Sequence, residues 1–192
     1  MSKRSVQIFG SSEGADGVTG AEVDSIGEAL VIQDMVHHRI HEGVFFVSGA
    51  TATALANGGT LDVLIQAVSG DLHVLFIGTV GGDATVELFE GTTFTAAGTA
   101  LPSLNRNRNF ALTKISDSII TQDPTITLDG TQLFSGILLG GSGGNAVGGS
   151  SSAFNEFIFP AGSVHLARIT NISGQARVAA LELEFYDTAL LD

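Results

Sequence analysis

The stretch Ala179-Ala180-Leu181-Glu182-Leu183-Glu184-Phe185-Tyr186 decides the fold class of this chain. Its large apolar side chains recur at every second position, and two glutamates lie between them. Successive side chains of a β-strand point to opposite faces, so a period of two places one face in a core and the other in solvent. The stretch therefore predicts a half-buried β-strand.

The same composition continues through most of the chain after residue 43. Residues 61–67 alternate in the same way, and other strand-like runs cover 44–53, 72–80, 85–90, 118–121, 126–128, 132–138, 154–159 and 164–171. Turn sequences such as Asn57-Gly58-Gly59, Asp129-Gly130 and Pro160-Ala161-Gly162 separate them. About ten short strands with regular turns predict an all-β protein with a jelly-roll-like antiparallel β-sandwich.

Residues 1–36 differ from this pattern and predict an extended N-terminal arm, partly flexible, ahead of a sandwich domain over residues 37–192. Residues 10–17 are poor in bulky apolar side chains, which is typical of an unpacked segment. Residues 26–35 have apolar side chains at helical spacing and could form a short amphipathic helix. No helix of three turns is predicted after residue 43.

Two connections in the sandwich domain resist assignment to strands. Residues 91–103 form a Thr/Ala/Gly-rich connection, long enough to be an excursion from the sandwich. Residues 140–152 carry no charge and include six glycines by residue 149. Ordering so many glycines costs much conformational entropy, so this tract either stays mobile or is clamped by close backbone contacts at a subunit axis.

The composition is apolar for a soluble monomer, with 44% hydrophobic and 15% charged residues and a mean hydropathy of +0.34. No uninterrupted apolar run reaches the roughly 18 residues of a membrane helix. The surplus apolar surface predicts burial against another protein, as in an obligate homo-oligomer. A large β-core with Ser, Thr and Gly on its surface is the alternative.

The charge balance excludes several partners. The net charge is −12, and eight Lys and Arg are too few to neutralise the phosphates of nucleic acid or an anionic membrane surface. The chain has no cysteine, which excludes disulfides and thiolate zinc sites. Polar, glycine-rich sequence follows Met1 to Val6 in place of an apolar export signal, so we expect synthesis in a cytoplasm without export.

The segment Asn105-Arg106-Asn107-Arg108-Asn109 carries two of the eight Lys and Arg, alternating with three asparagines. Guanidinium forks interleaved with amides in a strand-like register suit a fixed hydrogen-bonding ladder to backbone or carboxylate partners. Neither residue type titrates near neutral pH, so this segment predicts a structural contact and not a catalytic site.

The segment His37-His38-Arg39-Ile40-His41-Glu42 is the best sequence candidate for a metal or acid–base site. In a helix, His37 and His41 would share a face, and imidazole is a good ligand for zinc or nickel. The pattern lacks the His-Glu-x-x-His order of metalloproteases and an evident third ligand. We therefore predict no metal here, and expect these side chains to tie down the start of the first strand.

Other signals for catalysis are weak. His73 and His165 lack the close His/Glu spacing of a cupin, so packed or rim histidines are the better interpretation. The strand carboxylates Glu87, Glu90, Glu182 and Glu184 could serve glycoside hydrolysis, but the chain has no Trp and one Tyr to form a sugar platform. Neither a nucleophile elbow nor a phosphate loop is present. No catalytic residue, metal or cofactor is predicted.

Several motifs, in order along the chain, resemble structural proteins of tailed-bacteriophage virions. They lie at residues 38–43, 82–92, 105–109, 140–149 and 160–173. The resemblance covers roughly residues 37–187 and is closest to capsid decoration (cement) proteins. It implies a jelly-roll homo-oligomer, often a trimer, that is assembled in the host bacterial cytoplasm and binds the major capsid protein on the outer surface of the virion.

This resemblance makes the unusual polar and glycine-rich segments candidates for subunit or capsid contact. The candidate residues are Asn105, Arg106, Asn107, Arg108, Asn109, Gly143, Gly144, Asn145, His38, Arg39 and His41. A head fibre base, neck or tail protein with an adhesive role is the first alternative. A metal-dependent β-sandwich enzyme is the second.

Overall fold

The computed structural model describes residues 22–23, 29–30, 35–140, 150–151 and 156–191. Chain contacts divide the protein into two units, residues 1–34 and residues 35–192. In the first unit, strand β1 (Glu22–Val23) pairs antiparallel with β2 (Ala29–Leu30). The helix predicted over residues 26–35 is therefore wrong at Ala29 and Leu30. Most of the predicted arm lies outside the described residues.

The second unit begins with helix α1 (Met35–His41) and continues almost entirely in strands. The strands are β3 (Phe45–Leu55), β4 (Thr60–Gln66), β5 (Leu72–Val80), β6 (Ala84–Glu90), β7 (Thr93–Ala96), β8 (Thr99–Ala100), β9 (Leu104–Asn105), β10 (Ile119–Gln122), β11 (Thr125–Leu128), β12 (Thr131–Leu138), β13 (Ser150–Ser151), β14 (Phe157–Phe159), β15 (Val164–Asn171) and β16 (Arg177–Asp187). Short 3₁₀ turns lie at Arg108–Phe110 and Thr188–Leu190.

Eight of these strands form a jelly roll. One sheet has the order β3-β16-β5-β14 and is called here the β16 sheet. The other has the order β4-β15-β6-β12 and is called the β15 sheet. Numbered along the chain, the eight strands lie in the orders 1-8-3-6 and 2-7-4-5, and these pairings are antiparallel, which is the jelly-roll arrangement. The predicted jelly-roll-like antiparallel β-sandwich is confirmed.

The core lies between the two sheets and follows from the period of two. Ala179, Leu181, Leu183 and Phe185 all face it from β16 and are buried, as the alternation predicted. Phe185 stacks on Phe46 of β3, with 5.5 Å between ring centroids. Full burial of each large side chain contributes about 1.5–3 kcal/mol, so this alternating face is the main source of stability.

The connection predicted at residues 91–103 contains two strands instead of an open loop. It belongs to an insertion between β6 and β12, in which β7 pairs with β11, while β8 and β10 extend the β15 sheet beside β4. Their short runs of Thr and Ala give little apolar signal, because β7 has one half-buried residue and β8 has none.

The outer faces of the two sheets differ. On the β15 sheet, Leu64 and Leu166 point away from the core, yet each is 0% exposed. On the β16 sheet, Glu182 and Val178 of β16 are exposed, and helix α1 lies against β3 at one end only. The β15 sheet is thus covered on both sides at β4 and β15, although Ile137 of its edge strand β12 is 67% exposed, whereas β16 carries exposed side chains on its outer face.

Candidate functional site around helix α1 and residues 104–114

Helix α1 ends in a Schellman motif that joins it to β3. Gly43 adopts φ +71°, and its N–H bonds to Ile40 O at 3.0 Å, while Val44 N–H bonds to Arg39 O at 3.1 Å. A side chain at Gly43 would also collide with the Phe110 ring, since an added Cβ would lie 2.5 Å from it. The end of α1 is therefore packed directly against the segment that follows β9.

Asn105 connects these two segments from a buried position. Its Nδ2 donates to Gly43 O at 2.7 Å and to Lys114 O at 3.1 Å, and its Oδ1 accepts from Asn107 N at 2.9 Å. The side chain is only 4% exposed, and both its amide oxygen and its amide nitrogen are satisfied. Asn105 thus fixes the position of residues 105–114 relative to the start of β3.

The strand-like ladder predicted for residues 105–109 is wrong. Only Leu104 and Asn105 lie in a strand, and Asn105 then closes an Asx turn on Asn107. Asn107 caps the 3₁₀ turn, accepting from Asn109 N at 3.1 Å, and its Nδ2 donates to His41 O at 3.3 Å. Asparagine side chains compete with strand pairing by bonding their own backbone, and that local preference prevails here.

The arginines of the two segments bind within the subunit. Arg106 donates to Glu184 Oε1 at 2.7 Å and lies over the Phe45 ring at 5.4 Å. Arg39 donates to Glu42 Oε2 at 2.7 Å. Arg108 donates to the carbonyl oxygen of Asn105 at 3.3 Å. The sequence predicted carboxylate or backbone partners for the arginines of residues 105–109. The observed partners are of these two types, and they belong to the same chain.

The histidines of α1 form two pairs. His37 Nε2 and His41 Nε2 are 3.0 Å apart, and their rings meet edge to face with 4.5 Å between centroids. His38 Nε2 lies 3.1 Å from Glu42 Oε1, and this i,i+4 pair begins one residue after the first. All three histidines are exposed. The shared face predicted for His37 and His41 is present.

The structure brings the two sequence motifs together, with Asn107 and His41 in direct contact. Gly143, Gly144 and Asn145 lie outside the described residues, so their predicted place at a subunit axis stays a prediction.

A small cavity of about 90 Å³ lies beside α1 on the outer face of the β16 sheet. His73 Nδ1 is 2.6 Å from Glu156 Oε1 at its wall, and the His73 ring stacks on Tyr186 at 4.2 Å. Burial and the negative charge of Glu156 raise the pKa of Tyr186. His73 and Tyr186 therefore form a packed cluster that supports the helix end of this face.

Sequence reasoning missed the strongest ion-pair cluster of the described residues. Arg168 of β15 binds Asp62 through two bonds of 2.8 and 2.9 Å and Asp129 through one of 3.0 Å. The hydrogen bonds to Asp62 raise the pKa of the Arg168 guanidinium, against the opposite effect of burial. Asp129 directly follows β11, so this cluster fastens the β7–β11 ribbon to the outer face of the β15 sheet.

His165, which faces the core from β15, is 2% exposed and stacks on Phe159 with 3.6 Å between centroids. Burial lowers its pKa to about 4, so it is neutral near pH 7. It lies on a different sheet from His73. Within the described ranges, no three His, Asp or Glu side chains converge to hold a metal ion.

A buried carboxylate, Asp187, closes the end of β16. It accepts from Ser116 Oγ at 2.7 Å and from Ala189 N at 3.0 Å, and it is 0% exposed. Like Asn105, it joins chain segments that are far apart in sequence. The buried polar groups of this protein therefore act mainly as internal fasteners.

Comparison with protein-family models, with curated proteins and with solved structures found no match. Among the described residues, no helix has the length and apolar composition needed to cross a membrane.

Proposed function

We propose that this protein is a non-enzymatic decoration (cement) protein of a tailed-bacteriophage capsid. It would bind the outer capsid surface as a homo-oligomer and stabilise the shell. The motif resemblance supports this assignment, and one structural observation carries the assembly role: a strand edge, unpaired among the described residues, that is uncharged and carries exposed aliphatic side chains on a strongly acidic molecule.

That edge is strand β12. It borders the β15 sheet and pairs with β6 on one side only, among the residues that the structure describes. Leu133 is 39% exposed, Ile137 67% and the adjacent Leu139 72%. Monomeric proteins commonly protect such an edge with charges or proline, and β12 contains neither. The edge is therefore suited to contact another chain.

The charge distribution supports contact between copies at this edge. Each copy carries a net charge of −12, so copies repel one another at most orientations. Residues 131–155 include no charged side chain, so two copies that meet along β12 avoid bringing like charges together.

A second uncharged edge offers a complementary surface. Beyond Val47, β3 pairs with β16 alone in the described part of the chain. An open groove of about 350 Å³ runs beside it; Pro102 and Leu104 line one part of it, and the carboxylate side chain of Glu182 belongs to its lining as well. A closed trimer needs two different surfaces on each copy, and we assign them to the β12 edge and this groove.

The internal chemistry supports a structural role as well. Arg168, Asp187 and Asn105 all bind within the subunit, where they hold loops and the ribbon to the sandwich. The acidic surface suits the outside of a shell filled with DNA, because an inward-facing protein would meet phosphate repulsion. Binding to the assembled shell more tightly than to its parts would favour the intact particle by mass action.

The decisive experiment adds the purified protein to phage heads that lack it and measures DNA release against temperature. We expect release at a higher temperature with the wild-type protein, and little protection from Ile137→Lys. Val178→Lys is the matched control, since Val178 is 59% exposed but lies on a strand paired on both sides. Equal heat resistance with and without wild-type protein would overturn the cementing role.

Analytical ultracentrifugation tests the assembly step separately. Wild type and Val178→Lys should sediment as the same oligomer, whereas Ile137→Lys should shift towards the monomer. If the wild-type protein is an oligomer and Ile137→Lys is the same oligomer, the subunit contact does not lie at β12. That result would leave the proposed virion role untouched. Electron microscopy that located the protein at the neck or tail would favour the adhesive alternative.

A further inference from the structure

We propose that His37 and His41 form a two-imidazole chelate for a divalent transition-metal cation, with Cu²⁺ and Ni²⁺ preferred. This site is independent of the proposed capsid role. It rests on the 3.0 Å separation of two nitrogen atoms that belong to exposed residues of helix α1.

The separation of the two nitrogens matches the bite of a metal ion. His37 Nε2 and His41 Nε2 lie 3.0 Å apart. Metal–imidazole bonds measure about 2.0–2.1 Å, so a cation equidistant from both atoms would have an N–metal–N angle of about 90–100°. That angle suits the square-planar and octahedral sites of Cu²⁺ and Ni²⁺ better than the wider angle of tetrahedral zinc.

The helix holds these ligands in place before any cation binds. An isolated helix of seven residues would be unstable in water, but α1 is fixed from outside. Its last turn is closed by the Gly43 motif, Asn107 donates to His41 O, and Asn105 donates to Gly43 O. The residues assigned to subunit contact by the sequence therefore support the chelate.

The proton balance is simple at neutral pH. Each neutral imidazole carries one proton, and in the observed pair one Nε2–H points at the other Nε2. A bound cation takes both Nε2 lone pairs, so that proton moves to Nδ1 of the same ring and none is released. A protonated imidazole has no lone pair left for a cation, so binding weakens on acidification.

Within the described ranges no third His, Asp or Glu converges on this pair, and both histidines are exposed, so water can fill the remaining coordination positions. The neighbouring His38 is engaged with Glu42 at 3.1 Å and belongs to a different pair. His38 therefore provides a matched control: it is a histidine on the same helix, equally exposed, outside the chelate.

Isothermal titration of the full-length protein with NiCl₂ and with CuCl₂ at pH 7.5 tests the site. We expect one chelating site per chain, and an affinity at least about tenfold lower in His37→Ala and in His41→Ala, because either change leaves a single ligand. His38→Ala should bind within about twofold of wild type. Circular dichroism should show that the three variants retain the β-sheet spectrum.

Electron paramagnetic resonance of the Cu²⁺ complex gives a second readout, with coupling to two nitrogens in wild type and to one in His41→Ala. The proposal is overturned if wild type and His41→Ala bind Ni²⁺ equally, if His38→Ala loses as much affinity as His41→Ala, or if wild type shows no chelating site.

Discussion

The outer face of the β15 sheet and that of the β16 sheet are built from the same kind of strand but are covered to different extents. On the β15 sheet, Arg168 binds Asp62 and Asp129, the insertion is fastened down, and Leu166 is fully buried. On the β16 sheet, helix α1 and residues 104–114 lie at one end, and much of the face is open. The comparison shows that Arg168 holds the insertion against one face, whereas side chains such as Glu182 and Val178 stay exposed on the other.

Removal of the Arg168 guanidinium should have the largest effect. In Arg168→Ala, the largely buried Asp62 would lose its cation, while Asp129, whose side chain is 43% exposed, stays hydrated; we expect the free energy of unfolding to fall by about 3 kcal/mol, the lower end for a broken buried pair. Urea denaturation measures this value. Arg168→Lys keeps the positive charge but cannot form both hydrogen bonds to Asp62, so its free energy of unfolding should lie between those of wild type and Arg168→Ala. A loss below about 1 kcal/mol in Arg168→Ala would show that the ion pair does not seal this face.

Acidification should destabilise the protein through His165, which lies in the core between the two faces. Its pKa is about 4 when folded and about 6.5 when unfolded, so the unfolded chain binds more protons below pH 6.5. Stability should therefore fall between pH 6.5 and 4, by about 3 kcal/mol at most. Denaturant midpoints against pH should be steeper for wild type than for His165→Gln. An unchanged slope in that variant would show that His165 does not carry the effect.

Asn105→Ala should destabilise the segment that lies against the β16 sheet. Its free energy of unfolding should fall by less than that of Arg168→Ala. Gly43 O, Lys114 O and Asn107 N would lose their partner, at a cost of about 1–3 kcal/mol. Hydrogen exchange should increase chiefly at residues 105–114. Asn109→Ala, in the same segment and at an exposed position, is the control and should change stability by less than about 0.5 kcal/mol. If Asn105→Ala and Asn109→Ala lose the same free energy of unfolding, Asn105 does not anchor this segment.

The fold was predictable because its signal is local. Alternation in residues 179–186 depends only on which way neighbouring side chains point, and the structure buries Leu181, Leu183 and Phe185 accordingly. The insertion was harder to predict, since β7 and β8 are short and largely exposed. Their strand state depends on pairing with β11 and β10, which lie well after them in sequence.

The sequence predicted which residues belong to the candidate site, but it did not predict the conformation of residues 105–109. Their spacing predicted that His37 and His41 would share a face if the segment were helical, and composition singled out residues 105–109. The conformation of that segment was misjudged, because Asn105 and Asn107 bond their own backbone and end the strand. The sequence shows both signals: the asparagines favour a turn, while the alternation of Asn and Arg favours a strand. Periodicity alone does not decide between them.

By itself, the sequence determined the all-β class, the acidic and cysteine-free surface, and the positions of the unusual polar segments. Only the tertiary structure decided which of those polar groups are buried fasteners and which stay accessible. Arg168 and Asp62 are 106 residues apart, and Asn105 and Gly43 are 62 apart. Such pairs exist only after the sheets have formed, because periodicity fixes where a side chain points and packing fixes what it meets.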